Sequence, residues 1–347
     1  MRAIVGSPFF LTLRQLPPRL SQLPRFISVF DSNVYRGMSE DAAVELVRKE
    51  RARSIVGAPC YQVAQELLAH LASKDDPDYH SCQAALKRLA AHCRRYDGSR
   101  FAFEFPADGL DQLARDVLGR SLTDPEDPES HARIIGSVAE GLVDLHHEHF
   151  APELAALATE LRKARQHFAN SIGRIAADIA IGFGLTDGDL TTVLADPPRR
   201  AILCGAFAKV QMLEALAAML VRQVNQGGQL TPEELRAAVA RTVARYPTPL
   251  QFLARIVRGY ICEGWQLDGR KRLGISFDVR ISFLVSGYSQ IRAAPLLLVT
   301  DDNLIHDAAR AAGIADRVLR ASEYRSLLDD SEAVFALQER VLLRSSV

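Results

Sequence analysis

The chain has 347 residues, 48% of them hydrophobic and 24% charged, which is enough for a sizeable core in two domains or in one domain carrying a large insertion. Its 42 basic and 42 acidic residues cancel to a formal net charge of zero, which excludes a binder that works through a global basic field; any polyanion must be gripped by a local patch. No apolar run is long enough to span a bilayer, and the five cysteines (Cys60, Cys82, Cys93, Cys204 and Cys262) form no CxxC pair, which points to reduced thiols in a cytoplasmic setting with no membrane partner.

Residues 1–24 read as an N-terminal arm. The first thirty residues hold four arginines and no acid, with Pro17 and Pro18, so a transit peptide and a packed arm both fit. FISVFDSNVY, Phe26 to Tyr35, follows. This short run of β-branched and aromatic residues breaks off at Asp31, Ser32 and Asn33, and reads as a central buried strand of an α/β sheet. Ligands in such sheets collect at the carboxyl ends of strands, so Asp31 stands where chemistry is done, although a turn former or helix cap would occupy the same place.

Ser39 to Arg53 has a capping serine, acids in its first turn and apolar residues at helical spacing. Ser54 to Ala58 is a brief strand closed by Pro59, and Tyr61 to Leu71 is a second helix, giving a β-α-β-α progression. Glu66 sits among Val63, Ala64, Leu67 and Leu68, close to the apolar stripe, where a carboxylate either reaches out to water or is held for a purpose. After the polar break KDDPDYH, a helix runs from about His80 to Arg95.

From Asp97 to Arg272 the pattern is helical throughout. Candidate helices are Leu110 to Leu118, His131 to Glu148, Pro152 to Ile181, Arg199 to Asn225, Pro232 to Arg245 and Pro249 to Glu263, separated by breaks rich in Pro, Gly and Asp. Within them LHHEHF (Leu145 to Phe150) invites a metal reading, but only His146 and His149 share a helix face and no H-E-x-x-H is present. The α/β pattern then returns. Ile275 to Arg292 carries Asp278 near its start, and PLLLVT, Pro295 to Thr300, is a buried strand that runs into Asp301 and Asp302. A helix from Asn303 to Ala312 stops at Gly313, and Ala315 to Leu319 makes a last short strand. Asp302, read alone, is an N-cap; what distinguishes it is that two strands far apart in the chain both end in aspartate.

Taken together, these segments resemble the PIN-domain nucleases, in which an acid follows the first strand in a D-S/T-N setting, a glutamate lies on the second helix, an aspartate opens a later helix and T-x-D follows a late strand. The matching positions are Asp31-Ser32-Asn33, Glu66, Asp278 and Thr300-Asp301-Asp302. The resemblance implies a PIN-like α/β/α sandwich with a mostly parallel sheet, residues 25–96 and 273–347, interrupted by an all-helical insertion over 97–272. It implies a metal-dependent ribonuclease that leaves a 5′-phosphate and a 3′-hydroxyl, with an antitoxin or other regulatory protein, or a second copy of the chain, as partner. Asp31, Glu66, Asp278 and Asp302 would be catalytic acids that, with Asp301, bind metal; Ser32, Asn33 and Thr300 would stand behind them.

Chemistry gives an independent reason for such a cluster. Carboxylates forced together repel, and hard oxygen donors of this kind suit Mg²⁺ or Mn²⁺, which neutralise them. An RNA backbone also needs cations, and Arg280, Arg292 and Lys271 flank Asp278 as candidate phosphate contacts. A haloacid-dehalogenase-like phosphohydrolase shares the acids after early and late strands, but it requires D-x-D where this chain has Asn33. A non-catalytic PIN-like binding protein is the other alternative.

Overall fold

The computed structural model describes residues 24–93, 109–122, 126–182, 184–185, 190–207, 212–225, 228–267, 274–286, 290–291 and 294–345. Its centre is β1 (Phe26–Phe30), in which every residue is buried. The chain continues through α1 (Ser32–Gly37), α2 (Glu40–Ala52), β2 (Ile55–Gly57), α3 (Tyr61–Ala69) and α4 (Tyr79–Cys93). Helices alone follow among the described residues: α5 (Gly109–Leu118), α6 (Glu126–Ala139), α7 (Leu142–Leu145), α8 (His147–Gly182), α9 (Leu190–Ala195), α10 (Pro197–Phe207), α11 (Met212–Asn225), α12 (Pro232–Arg245), α13 (Pro247–Glu263) and α14 (Ile275–Ser282). The sheet resumes with β3 (Gln290–Ile291) and β4 (Ala294–Val299), then α15 (Asn303–Ala311), β5 (Val318–Leu319), α16 (Ala321–Asp329) and α17 (Ser331–Ser345).

The fold is therefore α/β, mostly helical around a small sheet. The parallel strands run in the order β2-β1-β4-β5, and β3 pairs antiparallel with the start of β4. Register matters most between β1 and β4, where Phe30 lies opposite Val299. That pairing sets the first residues beyond the two strands, Asp31 and Thr300, side by side at the carboxyl edge. The β1 ladder extends one step further, Asp31 N donating to Val299 O at 3.0 Å. Because side chains alternate between faces, a slip of one residue would break this juxtaposition.

One continuous cluster of buried apolar side chains joins the sheet to the helical stretch, running from Phe30 and Leu298 through Leu113, Ile135 and Leu154 to Leu253. Helix α13 makes the junction. Its buried face, Leu250, Leu253, Ile256, Val257 and Ile261, lies against α14, which carries Asp278, and α15, which Asp302 caps. Helix α8 packs on α3 and α14. No described helix is long and apolar enough to cross a membrane.

Several local expectations differ from what is found. The single helix over 131–148 is broken at Gly141, whose φ of 75° belongs to the left-handed region that glycine adopts freely, and α7 and α8 start anew beyond it. The helix over 199–225 is described as α10 and α11, with residues 208–211 between them lying outside the described residues. Of the strand over 315–319 only Val318–Leu319 is extended, the rest being a 3₁₀ turn. Helix α1 begins directly after Asp31, too short for any periodicity to announce it. Cys60, Cys82 and Cys93 are buried unbridged thiols, but Cys204 and Cys262 form a disulfide, because α10 packs on α13 and brings their Cα atoms to 5.3 Å.

A polar cluster lies buried beneath β1, on the face shared by Ser28 and Phe30. The Glu50 carboxylate accepts from Ser28 Oγ at 2.7 Å and from Tyr324 OH at 2.6 Å, and its other oxygen is 3.0 Å from His92 Nε2. Tyr35 OH meets His92 Nδ1 at 2.8 Å. A Cβ on Gly57 would stand 2.5 Å from His92 Nε2, so glycine is what admits the ring. Although burial opposes it, the Glu50 charge, with Cys93 beside the ring, raises His92 to about 10. His92 and its hydrogen bonds hold Glu50 below the usual carboxylate range against the same opposition.

Candidate acidic active site

The site is assembled at the carboxyl ends of β1 and β4. Asp31 is 2% exposed and caps α1: its Oδ1 accepts from Ser32 N at 2.6 Å, and Oδ2 accepts from Thr300 Oγ1 at 2.8 Å. Ser32 Oγ adds a longer contact of 3.4 Å to Oδ1. Thr300, fully buried, does double duty, since its Oγ1 also accepts from Asp302 N at 3.1 Å. Asp302 caps α15, with Oδ1 accepting from Leu304 N at 2.7 Å and Ile305 N at 3.1 Å. Its Oδ2 accepts no hydrogen bond among the described residues. Capping thus fixes the rotamers of both aspartates.

Two helices bring the remaining acids. Glu66, half-buried on α3, and Asp278, half-buried in the first turn of α14, lie within electrostatic reach of Asp31. Burial, first, and the Glu66 charge, second, raise Asp31 to about 6, against the lowering effect of Thr300 and Ser32; Asp302 adds a smaller push upward. Asp278 is held well above the usual carboxylate range by burial and then by Asp31, Asp302 and Glu66. It accepts no hydrogen bond among the described residues. The four acids expected from the sequence therefore lie within electrostatic reach of one centre, from stretches more than two hundred residues apart.

The other expected residues divide. Asn33 is exposed on α1, and Arg280 is half-buried on α14, two residues beyond Asp278. Asp301 is turned away: it is exposed, and its Oδ1 accepts from Ala321 N at 3.1 Å, at the start of α16. The adjacency of two aspartates after β4 hid this choice, which is made by Thr300 Oγ1 accepting from Asp302 N. Arg292 and Lys271 lie outside the described residues. One neighbour of the site had no signal in the sequence. Arg165, half-buried on α8, interacts electrostatically with Glu66, and its Cζ lies 5.1 Å from the Phe277 ring centroid.

Among the described residues, only His70, Asp76 and Asp78 bring three ligand atoms all within 4.8 Å of one another; no three of the four acids approach so closely. That group explains itself locally. Asp76 Oδ1 accepts from Asp78 N at 2.8 Å, a turn leading into α4, and His70 Nδ1 closes on Asp76 at 3.1 Å. Of the histidines of LHHEHF, His146 and His149 are exposed, and His147 Nε2 bonds to Leu71 O at 2.9 Å.

Compared with models of known protein families, with curated protein sequences and with solved structures, the chain has no significant match. What the site can do follows from its own chemistry.

Proposed function

We propose that this chain is a Mg²⁺- or Mn²⁺-dependent ribonuclease with a PIN-like catalytic domain, and that Asp31, Glu66, Asp278 and Asp302 form its active centre. The observation that carries this reading is the convergence of four carboxylates, two from the ends of adjacent parallel strands and two from helices, with Asp31 and Asp278 raised by burial and then by their acidic neighbours. A structural role would have paired such acids with bases or dispersed them to solvent. The donor set fits a hard divalent cation: Asp302 Oδ2 and the Asp278 carboxylate are without hydrogen bonds among the described residues, and Asp31 is oriented from behind by Thr300 and Ser32. When bound, such an ion supplies an activated water and charge stabilisation for in-line phosphodiester hydrolysis.

The chain's own contributions are orientation and charge. Thr300 holds Asp31 and Asp302 in one register, α15 fixes Asp302 by its cap, and α14 delivers Asp278. A cytoplasmic setting suits an RNA substrate. The test is cleavage of a mixed single-stranded RNA pool by the purified protein with Mn²⁺, with EDTA, and with Asp31→Asn or Asp302→Asn. Cleavage that needs the metal and both aspartates is expected. An inert parent that hydrolyses a generic phosphate monoester would replace this reading with a phosphohydrolase, and inertness on every substrate, without a metal-induced rise in melting temperature, would leave a binding protein.

A further inference from the structure

The helical stretch meets the acidic centre at Arg165. Arg165 lies midway along α8, which packs against both α3, the carrier of Glu66, and α14, the carrier of Asp278. Its Nε is closed off from solvent and has no hydrogen-bond partner, and no hydrogen bond or ion pair is made to its guanidinium by the described residues. Phe277, the residue before Asp278, supports the guanidinium with its ring at 5.1 Å. Glu66 acts on it across space without hydrogen-bonding to it.

This is an unusual state for an arginine. Five N–H donors on a rigid plane are ordinarily matched to a carboxylate fork when partly desolvated, since an unmatched buried donor is costly. Here the plane is held against an aromatic face, the acid that acts on it, Glu66, belongs to the centre itself, and the fork is left for something else. The group that the fork matches, and that a phosphodiesterase would bring to this place, is the phosphate under attack. Two of its oxygens can take two parallel N–H donors while the acids hold the metal on the opposite side.

We propose that Arg165 grips the scissile phosphate, so that the helical block completes the active site. This rests on the ribonuclease reading. The rival account makes Arg165 a counter-charge for Glu66, and the two separate in single-turnover cleavage of a single-stranded RNA with Mn²⁺, measured as maximal rate and half-saturation over a range of KCl concentrations. For Arg165→Ala the rate should fall about 100-fold, the usual scale for losing one preorganised charge donor. The salt dependence of half-saturation should shrink by about 0.7 in logarithmic slope, the value of one phosphate contact on a single strand. Arg165→Lys should recover the slope, having the charge, and stay at least about tenfold slow, lacking the fork; it also serves if the alanine variant does not fold.

The Mn²⁺ midpoint and the melting temperature should match the parent in both variants. A slope unchanged in Arg165→Ala, or activity lost through a raised Mn²⁺ requirement, overturns the phosphate grip and leaves the nuclease standing. A parent that does not cut RNA overturns both.

Discussion

Two acidic groups flank the same strand and have been treated in opposite ways. Beneath β1, Glu50 is as buried as Asp31, yet Ser28, Tyr324 and His92 surround it, and the pair it forms with His92 lowers the carboxyl and raises the imidazole. At the carboxyl end of β1, Asp31 has two hydroxyls and a backbone amide for partners and three more acids for company, and its carboxyl is raised. Burial alone does not distinguish structure from function here; compensation does. The charge that the fold balances internally ties α2, α4 and α16 to the sheet, and the charge it leaves unbalanced gathers at the proposed active centre.

The sharpest way to break this comparison is to make the same acid-to-amide change on both sides. Asp31→Asn should abolish Mn²⁺-dependent RNA cleavage, by at least about a thousandfold, while making the protein in EDTA at pH 7.5 more stable. A carboxyl moved from 3.8 to about 6 costs the folded chain at most about 3 kcal/mol once ionised. The sign follows from proton binding: the folded state holds this proton at higher pH than the unfolded state, so stability is lost as pH rises from 3.8 to about 6 and stays lost above. Denaturant melts of parent and variant in EDTA would measure the difference. A less stable Asp31→Asn would mean that Thr300 and Ser32 outweigh the acids, and the contrast would fail.

Glu50→Gln should do the reverse, destabilising by about 3–5 kcal/mol because it strands a buried cation-forming ring. For a chain this long that is a fall in melting temperature of roughly 10 °C. The pair also has its own pH signature. His92 is raised from 6.5 to about 10, so its stabilisation is complete below 6.5 and disappears as pH climbs to about 10, while the lowered Glu50 carboxyl loses its share only in acid, below its usual 4.5. Stability measured from pH 6.5 to 10 should fall in the parent and flatten in His92→Gln. Parallel curves would remove His92 as the titrating group.

How much of this was legible depends on how local each decision is. Asp31, Thr300 and Asp302 could be read because a strand's end is marked by neighbours: an apolar run stops, polar residues follow, a helix begins. Glu66 and Asp278 could be placed on helices, but their approach to Asp31 depends on how α3 and α14 pack against the sheet, and only the family resemblance suggested it. Arg165 was invisible. Its surroundings, RKARQHF, are those of any solvated helix face, and nothing nearby in sequence indicates that α8 crosses two acid-bearing helices. Glu50 and His92 were hidden for a related reason, each looking like a surface charge until a third element covers it.

The smallest effect concerns the aspartate that the sequence could not separate from its neighbour. After β4 the chain offers Asp301 and Asp302 in succession, and a helix that begins at the next residue can be capped by either reading of a T-x-D turn. Thr300 Oγ1 accepts from Asp302 N and commits Asp302 to the centre; Asp301 then points outward and accepts from Ala321 N at 3.1 Å. An exposed cap of this kind contributes about 1 kcal/mol. Asp301→Ala should therefore lower stability by about 1 kcal/mol and leave cleavage within about threefold of the parent, whereas Asp302→Asn should abolish it as Asp31→Asn does. If Asp301→Ala instead cuts activity as Asp302→Asn does, both aspartates bind the metal, and the turn after β4 must rearrange when the ion arrives.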